Sequence, residues 1–292
     1  MCDGLTGGPM HTDIVDLQKF YYRTPLGSVA KRAIRRALTR LWGRVEGQSI
    51  VGVGYPTPFL RPFMDRAERC LALMPAQQGI AHWPREGPNL TALAFEDRLP
   101  LPDYSVDRVL LIHALETTDS RRAMMDEVWR VLASGGRLTV VAPNRRGLWA
   151  RFERTPFGHG YPFSAGQLDR MLKEHDFAPE ATGRALFVPP VQSRSLVRTA
   201  PAWEQIGQRW FEGFSGVVLI EARKKVYVVN KASERALRFR PVLVPQTLGS
   251  PARTAHADRL WPPHGGAPVC TESASHLVMG GGDQRPAARA AR

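Results

Sequence analysis

The chain has 292 residues, with 24 Pro, 26 Gly and a formal net charge of +13, a profile that points to one packed domain with tails rather than several domains. Its 43% hydrophobic content suffices for a core, and no apolar run approaches the roughly 20 residues of a membrane-spanning helix. Cys2, Cys70 and Cys270 stand far apart, which indicates neither a zinc site nor a disulfide framework and fits a reducing compartment.

Residues 1–10 lack the basic and apolar regions of a signal peptide, so the expected location is cytoplasmic, and Met10 is an alternative start. Residues 1–44 form an N-terminal segment. Leu17, Phe20, Tyr21 and Tyr22 lead into Pro25, after which Ser28 can cap a helix to about Trp42. Ala30, Ile34, Ala37, Leu38 and Leu41 make its apolar stripe, and Lys31, Arg32, Arg35, Arg36 and Arg40 cover the other face. Such a basic amphipathic helix suits a membrane surface or RNA.

Residues 48–53 read as a first strand, turning at Gly52-Val53-Gly54-Tyr55-Pro56. Glycines there let a ligand approach bare backbone. A nicotinamide-type Gly-x-Gly-x-x-Gly is excluded, because Thr57 holds its last position. Residues 70–74 read as a second strand and 90–95 as a third. The prolines of Leu99-Pro100-Leu101-Pro102-Asp103 then force extended and turn backbone. Residues 106–115 are apolar without a helical polar face, as in a strand covered on both sides, and end at His113 and Glu116. Asp119 or Ser120 can cap a helix carrying Met124, Val128, Val131 and Leu132, with Gly135-Gly136 as its stop signal. Residues 137–142 form the next strand, closed by Pro143. This βαβ unit gives a parallel sheet with its crevice at the carboxyl ends of the strands.

Beyond it, residues 145–164 make a loop rich in arginine, aromatics and glycine on the crevice side, where loops carry substrate. Ser164 can cap a helix to about His175; residues 184–188 suggest a sixth strand, 203–211 a helix and 216–222 the last strand. From about Pro245 onward Pro, Gly, Ala, Ser, Arg and His dominate, so residues 231–292 read as a basic, disordered tail.

The motifs Leu99-Pro100-Leu101-Pro102-Asp103, Val106-Asp107-Arg108-Val109 and Trp129-Arg130-Val131-Leu132-Ala133-Ser134-Gly135-Gly136 fall in order at the spacing of one family. In them the chain resembles the class I S-adenosylmethionine (SAM)-dependent methyltransferases of the type 11 group, over about residues 45–230. The resemblance implies an α/β, Rossmann-like seven-stranded sheet with the last strand antiparallel and helices on both faces. It implies SAM as cofactor, with Gly52, Gly54 and Tyr55 on the methionine and ribose side, Met74 at the ribose edge, Phe95 and Glu96 at the adenine, and His113 near the methyl. Asn144, Arg145, Trp149 and Tyr161 would face the acceptor, and His159 or His113 would serve as base; no metal is implied. Ile50 stands where the family has an acid before its glycines, Pro56 replaces the third glycine, and Met74 replaces the ribose-binding acid.

The expected function is methyl transfer from SAM to a small-molecule acceptor. The missing acids leave open a non-catalytic methyltransferase-like partner. The basic helix and loop leave open an RNA acceptor, although no Asn-Pro-Pro-Tyr-like motif follows the fourth strand, where the sequence is His113-Ala114-Leu115-Glu116. Neither the acceptor nor the oligomeric state is readable from the residues.

Overall fold

The computed structural model describes residues 13–191 and 194–226. The chain divides into two units, Met1–Asn230 and Lys231–Arg292; the second, with the expected tail, lies outside the described residues, as does Met10.

Among the described residues, two helices precede the sheet. The first, α1 (Ile14–Arg23), is absent from the sequence expectations; it starts where the Asp13 carboxylate accepts from Val15 N and buries Ile14, Leu17, Phe20 and Tyr21. The second, α2 (Pro25–Trp42), begins earlier than Ser28, because Thr24 Oγ1 accepts from Gly27 N and Pro25 takes the first turn, where a missing N–H costs nothing.

Seven strands form one sheet: β1 (Ser49–Gly54), β2 (Arg69–Pro75), β3 (Thr91–Ala94), β4 (Val106–Ile112), β5 (Leu132–Pro143), β6 (Phe177–Ala185) and β7 (Val217–Lys224). Their order is β3-β2-β1-β4-β5-β7-β6. β7 runs antiparallel to both neighbours and the remaining pairs are parallel, as expected of the Rossmann-like methyltransferase fold.

Alternation along the strands separates two faces. Val51, Val53, Leu73, Val109, Leu111 and Val140 pack with α4 (Arg121–Val131) and α5 (Ala165–Glu174). Ile50, Met74, Leu110, Ile112 and Leu219 pack with α1, α2 and Ala200 of α6 (Arg194–Trp210). The connection after β1 is a single turn, α3 (Thr57–Leu60), followed by a short 3-10 turn, and β2 reaches β3 without a helix. The N-terminal helices therefore occupy the face that crossover helices would cover.

Several boundaries differ from expectation. α4 stops at Val131 and Gly135-Gly136 lie within β5, beside a register shift between Val106 and Arg108. Ser120 makes no side-chain cap; instead its N–H donates to Thr118 Oγ1. β6 begins at Phe177, not near Arg184, with an irregularity between Pro179 and Ala181. α6 begins before residue 203. Ser164 caps α5 as anticipated, in a capping box with Gln167.

Candidate active site

The family-like motifs serve one another. Arg130 donates to the carbonyls of Leu99 and Leu101 and to the Glu127 carboxylate, while Leu99 N donates to Glu127 Oε2. The proline loop is thereby clipped to α4, fixing the chain between β3 and β4. Asp107 accepts from Ser49 N at 2.8 Å and sets the start of β1 against β4.

At the carboxyl ends of the strands, Tyr55 N donates to Ile112 O at 2.9 Å. Gly54 has φ +96°, and a Cβ there would lie 2.1 Å from Ile112 O. At Gly52 a Cβ would lie 2.2 Å from the Pro56 ring. Both glycines are thus demanded by the chain's own packing, which is a different reason from the ligand approach inferred from the sequence.

His113 follows β4 in the left-handed region, with φ +54°, and lies in a buried polar chain. Its Nε2 is 2.6 Å from Tyr21 Oη, and its Nδ1 is 3.3 Å from Glu116 Oε1. Burial, with Tyr55 and Glu116 nearby, raises the Tyr21 pKa well above the ordinary phenol range, so the phenol keeps its proton in this hydrogen bond. Glu116 is only 1% exposed, and the 3.3 Å approach lacks hydrogen-bond geometry, so both carboxylate oxygens are without a donor. Beside it, Gln78 Nε2 donates to His113 O at 2.7 Å while its Oε1 is unpartnered.

Glu96 follows β3 and has one buried oxygen without a partner. Burial pushes its carboxyl up to about 7; Thr118 opposes this through a hydrogen bond, and Glu116, Asp97 and Asp119 add to it. A small cavity of about 140 Å³ opens here between the ends of β2 and β3 and the Thr118–Ser120 stretch. The adjoining floor is filled by Tyr21, whose ring stacks on Tyr55 at 6.0 Å and meets Phe157 edge-on at 6.5 Å.

The other expected site residues spread out. Met74 is buried on the α1–α2 face, its Sδ taking Ala81 N, and Phe95 is 64% exposed beside the small cavity. Asn144 Nδ2 donates to the carbonyls of Gly213 and Ser215, and Trp149 Nε1 to Val188 O, so both anchor the following loop. Arg145 and His159 are exposed. Tyr161 is exposed under the Arg121 guanidinium, and its N–H donates to Glu116 O at 2.8 Å. Glu116 and Gln78 are absent from the expected site, because nothing in a sequence marks a carboxylate or amide as buried without a partner.

The sheet order and the crevice at its carboxyl end are those of the class I methyltransferase fold. Residues 51–140 match the methyltransferase domain family of type 11. A SAM-dependent methyltransferase from Thermotoga maritima, described as a possible histamine N-methyltransferase, is similar in fold, with a TM-score of 0.51, 16% identity, and coverage of 73% of this chain and 96% of that one. So is the Haloferax volcanii complex of the Trm112 methyltransferase activator with a putative methyltransferase, with a TM-score of 0.53, 13% identity, and coverage of 73% and 97%. No curated protein matches the chain.

The donor set of SAM fits what the crevice lacks. An ammonium, an adenine amine, ribose hydroxyls and a sulfonium charge are donors and cations; Glu116, Glu96 and Gln78 present buried acceptors without donors.

Proposed function

We propose that the protein methylates a small-molecule acceptor held between the strand ends and the 145–164 loop. The observation that carries this reading is the buried Glu116 carboxylate, unpartnered at the end of β4 beside His113. A bare carboxylate in such a place is costly unless a cationic, donor-bearing ligand completes it. Glu116 and Glu96 would hold the cofactor's donors, Gly52, Gly54 and Tyr55 would form the turn beneath it, and Phe95 would flank the adenine at the mouth. SAM, when bound, supplies an electrophilic methyl group. The remaining work of the chain is alignment of the acceptor, which needs no dedicated base. His113 contributes by position: its Nε2 is occupied by Tyr21, so it orders the floor instead of removing a proton. His159, Arg145 and Tyr161, on the exposed loop, would face the acceptor.

The space between the strand ends is smaller than the roughly 300–1,000 Å³ of a small-molecule site. Tyr21 fills the rest, so α1 has to shift as the cofactor enters. Calorimetric titration with SAM and S-adenosylhomocysteine tests the reading. Glu116→Gln should weaken SAM at least tenfold, about 1.4 kcal/mol, without loss of fold by circular dichroism. If the wild-type protein takes up no SAM at millimolar ligand, the proposal is wrong.

A further inference from the structure

A second and larger cavity, about 540 Å³, lies behind the Gly54–Tyr55 turn, between α1, α2 and the chain that follows β2. Lys19, Arg23, Arg35, Arg61 and Arg85 line it, against a single carboxylate, Glu86. Among the described residues none of these five cations is within 4.0 Å of a carboxylate. Arg66, Arg108, Arg130, Arg137, Arg184 and Arg223 are all paired. The contrast is sharpest at Arg35. It is half-buried, its Nε donates to Pro58 O, and its Nη groups make no hydrogen bond among the described residues. Burial lowers its pKa, the neighbouring Tyr22 opposes this, and the nearby Arg61 adds to the lowering. Desolvating a guanidinium beside like charge, with no acid to offset it, is unfavourable unless an anion arrives.

The walls specify more than charge. Trp83 is buried and Tyr22 half-exposed along the same cavity, so a flat apolar body can lie against rings while its charged end meets the guanidinium groups, which match phosphate oxygens in pairs. The cavity is also partitioned from the crevice. Tyr55 lines the cavity and stacks on the fully buried Tyr21, whose hydroxyl meets His113 beside Glu116 on the far side. A cationic ligand is drawn to the acidic side and an anionic one to the basic side.

We propose that this cavity is a binding site for a phosphate ester with a flat apolar body, separate from the SAM crevice. The site does not depend on methyl transfer, and its test can fail while the methyltransferase reading stands.

Phenyl phosphate and inorganic phosphate are the probes, titrated calorimetrically into the full-length protein. Phenyl phosphate should bind with an affinity that falls as salt rises, and better than inorganic phosphate. Replacing Arg61 and Arg85 by Ala together should weaken it about tenfold or more. Both side chains are exposed, so the fold should persist, as circular dichroism will show. A control removing two charges elsewhere, Arg44→Ala with Arg170→Ala, should leave affinity unchanged, which separates the cavity from the overall +13. Three outcomes overturn the proposal: no binding at about 10 mM probe, a ΔG of only some 3 kcal/mol; equal weakening in the control; or displacement of phenyl phosphate by S-adenosylhomocysteine, which would make the cavity part of the cofactor crevice.

Discussion

The two faces of the sheet are covered by helices of different origin. On one, α4 and α5 are crossovers between consecutive strands, and α4 sits where the proline loop and the Trp129–Gly136 motif place it. On the other, the connections after β1 and β2 have shrunk to one turn and a loop, and α1 and α2, which precede the whole sheet, supply the missing apolar surface. A parallel sheet requires cover on both faces, and the physics does not ask from which part of the chain it comes. One consequence is local: with a short α3, the space beside the Gly54 turn is bounded by α1 and α2, and five cations without a carboxylate partner among the described residues line it.

An ion cluster under the end of α2 ties that helix to the sheet. Arg108 meets Glu221 at 2.5 Å, Glu221 also meets Arg137 at 3.1 Å, and Arg108 Nη2 donates to Trp42 O. Arg108→Ala leaves a buried carboxylate short of its partner and should cost about 3–5 kcal/mol in urea unfolding. A cost below 1 kcal/mol would mean that α2 is not anchored through this cluster. Next come paired core truncations, one on each face. Leu38→Ala in α2 and Met124→Ala in α4, both fully buried, should each cost about 2–5 kcal/mol. If Leu38→Ala is nearly silent while Met124→Ala is not, the N-terminal helices are accessories and the equivalence of the faces fails.

Gly54→Val should act on the fold first, through the clash with Ile112 O and its positive φ, with the strained backbone alone costing about 1–3 kcal/mol. A variant that melts like wild type would show that the turn relaxes.

The smallest effects are two pH slopes of opposite sign. Glu96, raised to about 7 from an ordinary 4.5, binds more proton when folded than unfolded between those values. It therefore gives stability that is complete at low pH and is lost as pH rises from 4.5 to 7. Lys224 lies over the rings of Trp129 and Tyr104 with its Nζ donating to Leu132 O, and burial pulls its ammonium down to about 8 from 10.5. There the unfolded state holds more proton, so stability rises as pH goes from 8 to 10.5. Glu96→Gln should remove only the first slope and Lys224→Met only the second, read as the difference in unfolding midpoint across each window.

The face that the sequence describes well is the one whose helices connect strands consecutive in the chain. Residues 99–136 carry prolines, an amphipathic helix and glycines at fixed distances, each with a local cause. α1 escapes because its apolar residues run straight into Tyr22 and Pro25, although Thr24-Pro25 is an N-terminal helix signature. β6 escapes because Pro179, Glu180 and Gly183 look hostile to a strand; it is the edge strand, where proline and an irregular register are tolerated. At the site, the glycines and His113 are visible as motif positions. The partnership of Tyr21, His113 and Glu116 is not, since it joins side chains 92 residues apart and depends on burial, which only the fold creates.

The position of β7 has a consequence for how the molecule is made. It is the last strand of the sheet in sequence, yet it lies inside the sheet, between β5 and β6. During synthesis, β1 to β5 can assemble as soon as they emerge. β5 then carries a bare hydrogen-bonding edge, and β6 has nothing to pair with until residues 217–224 arrive. For the time taken to translate from Pro143 to Lys224, the nascent chain exposes an edge that invites pairing with another copy. Slowing translation over that interval should therefore raise aggregation more than an equal delay placed before β4.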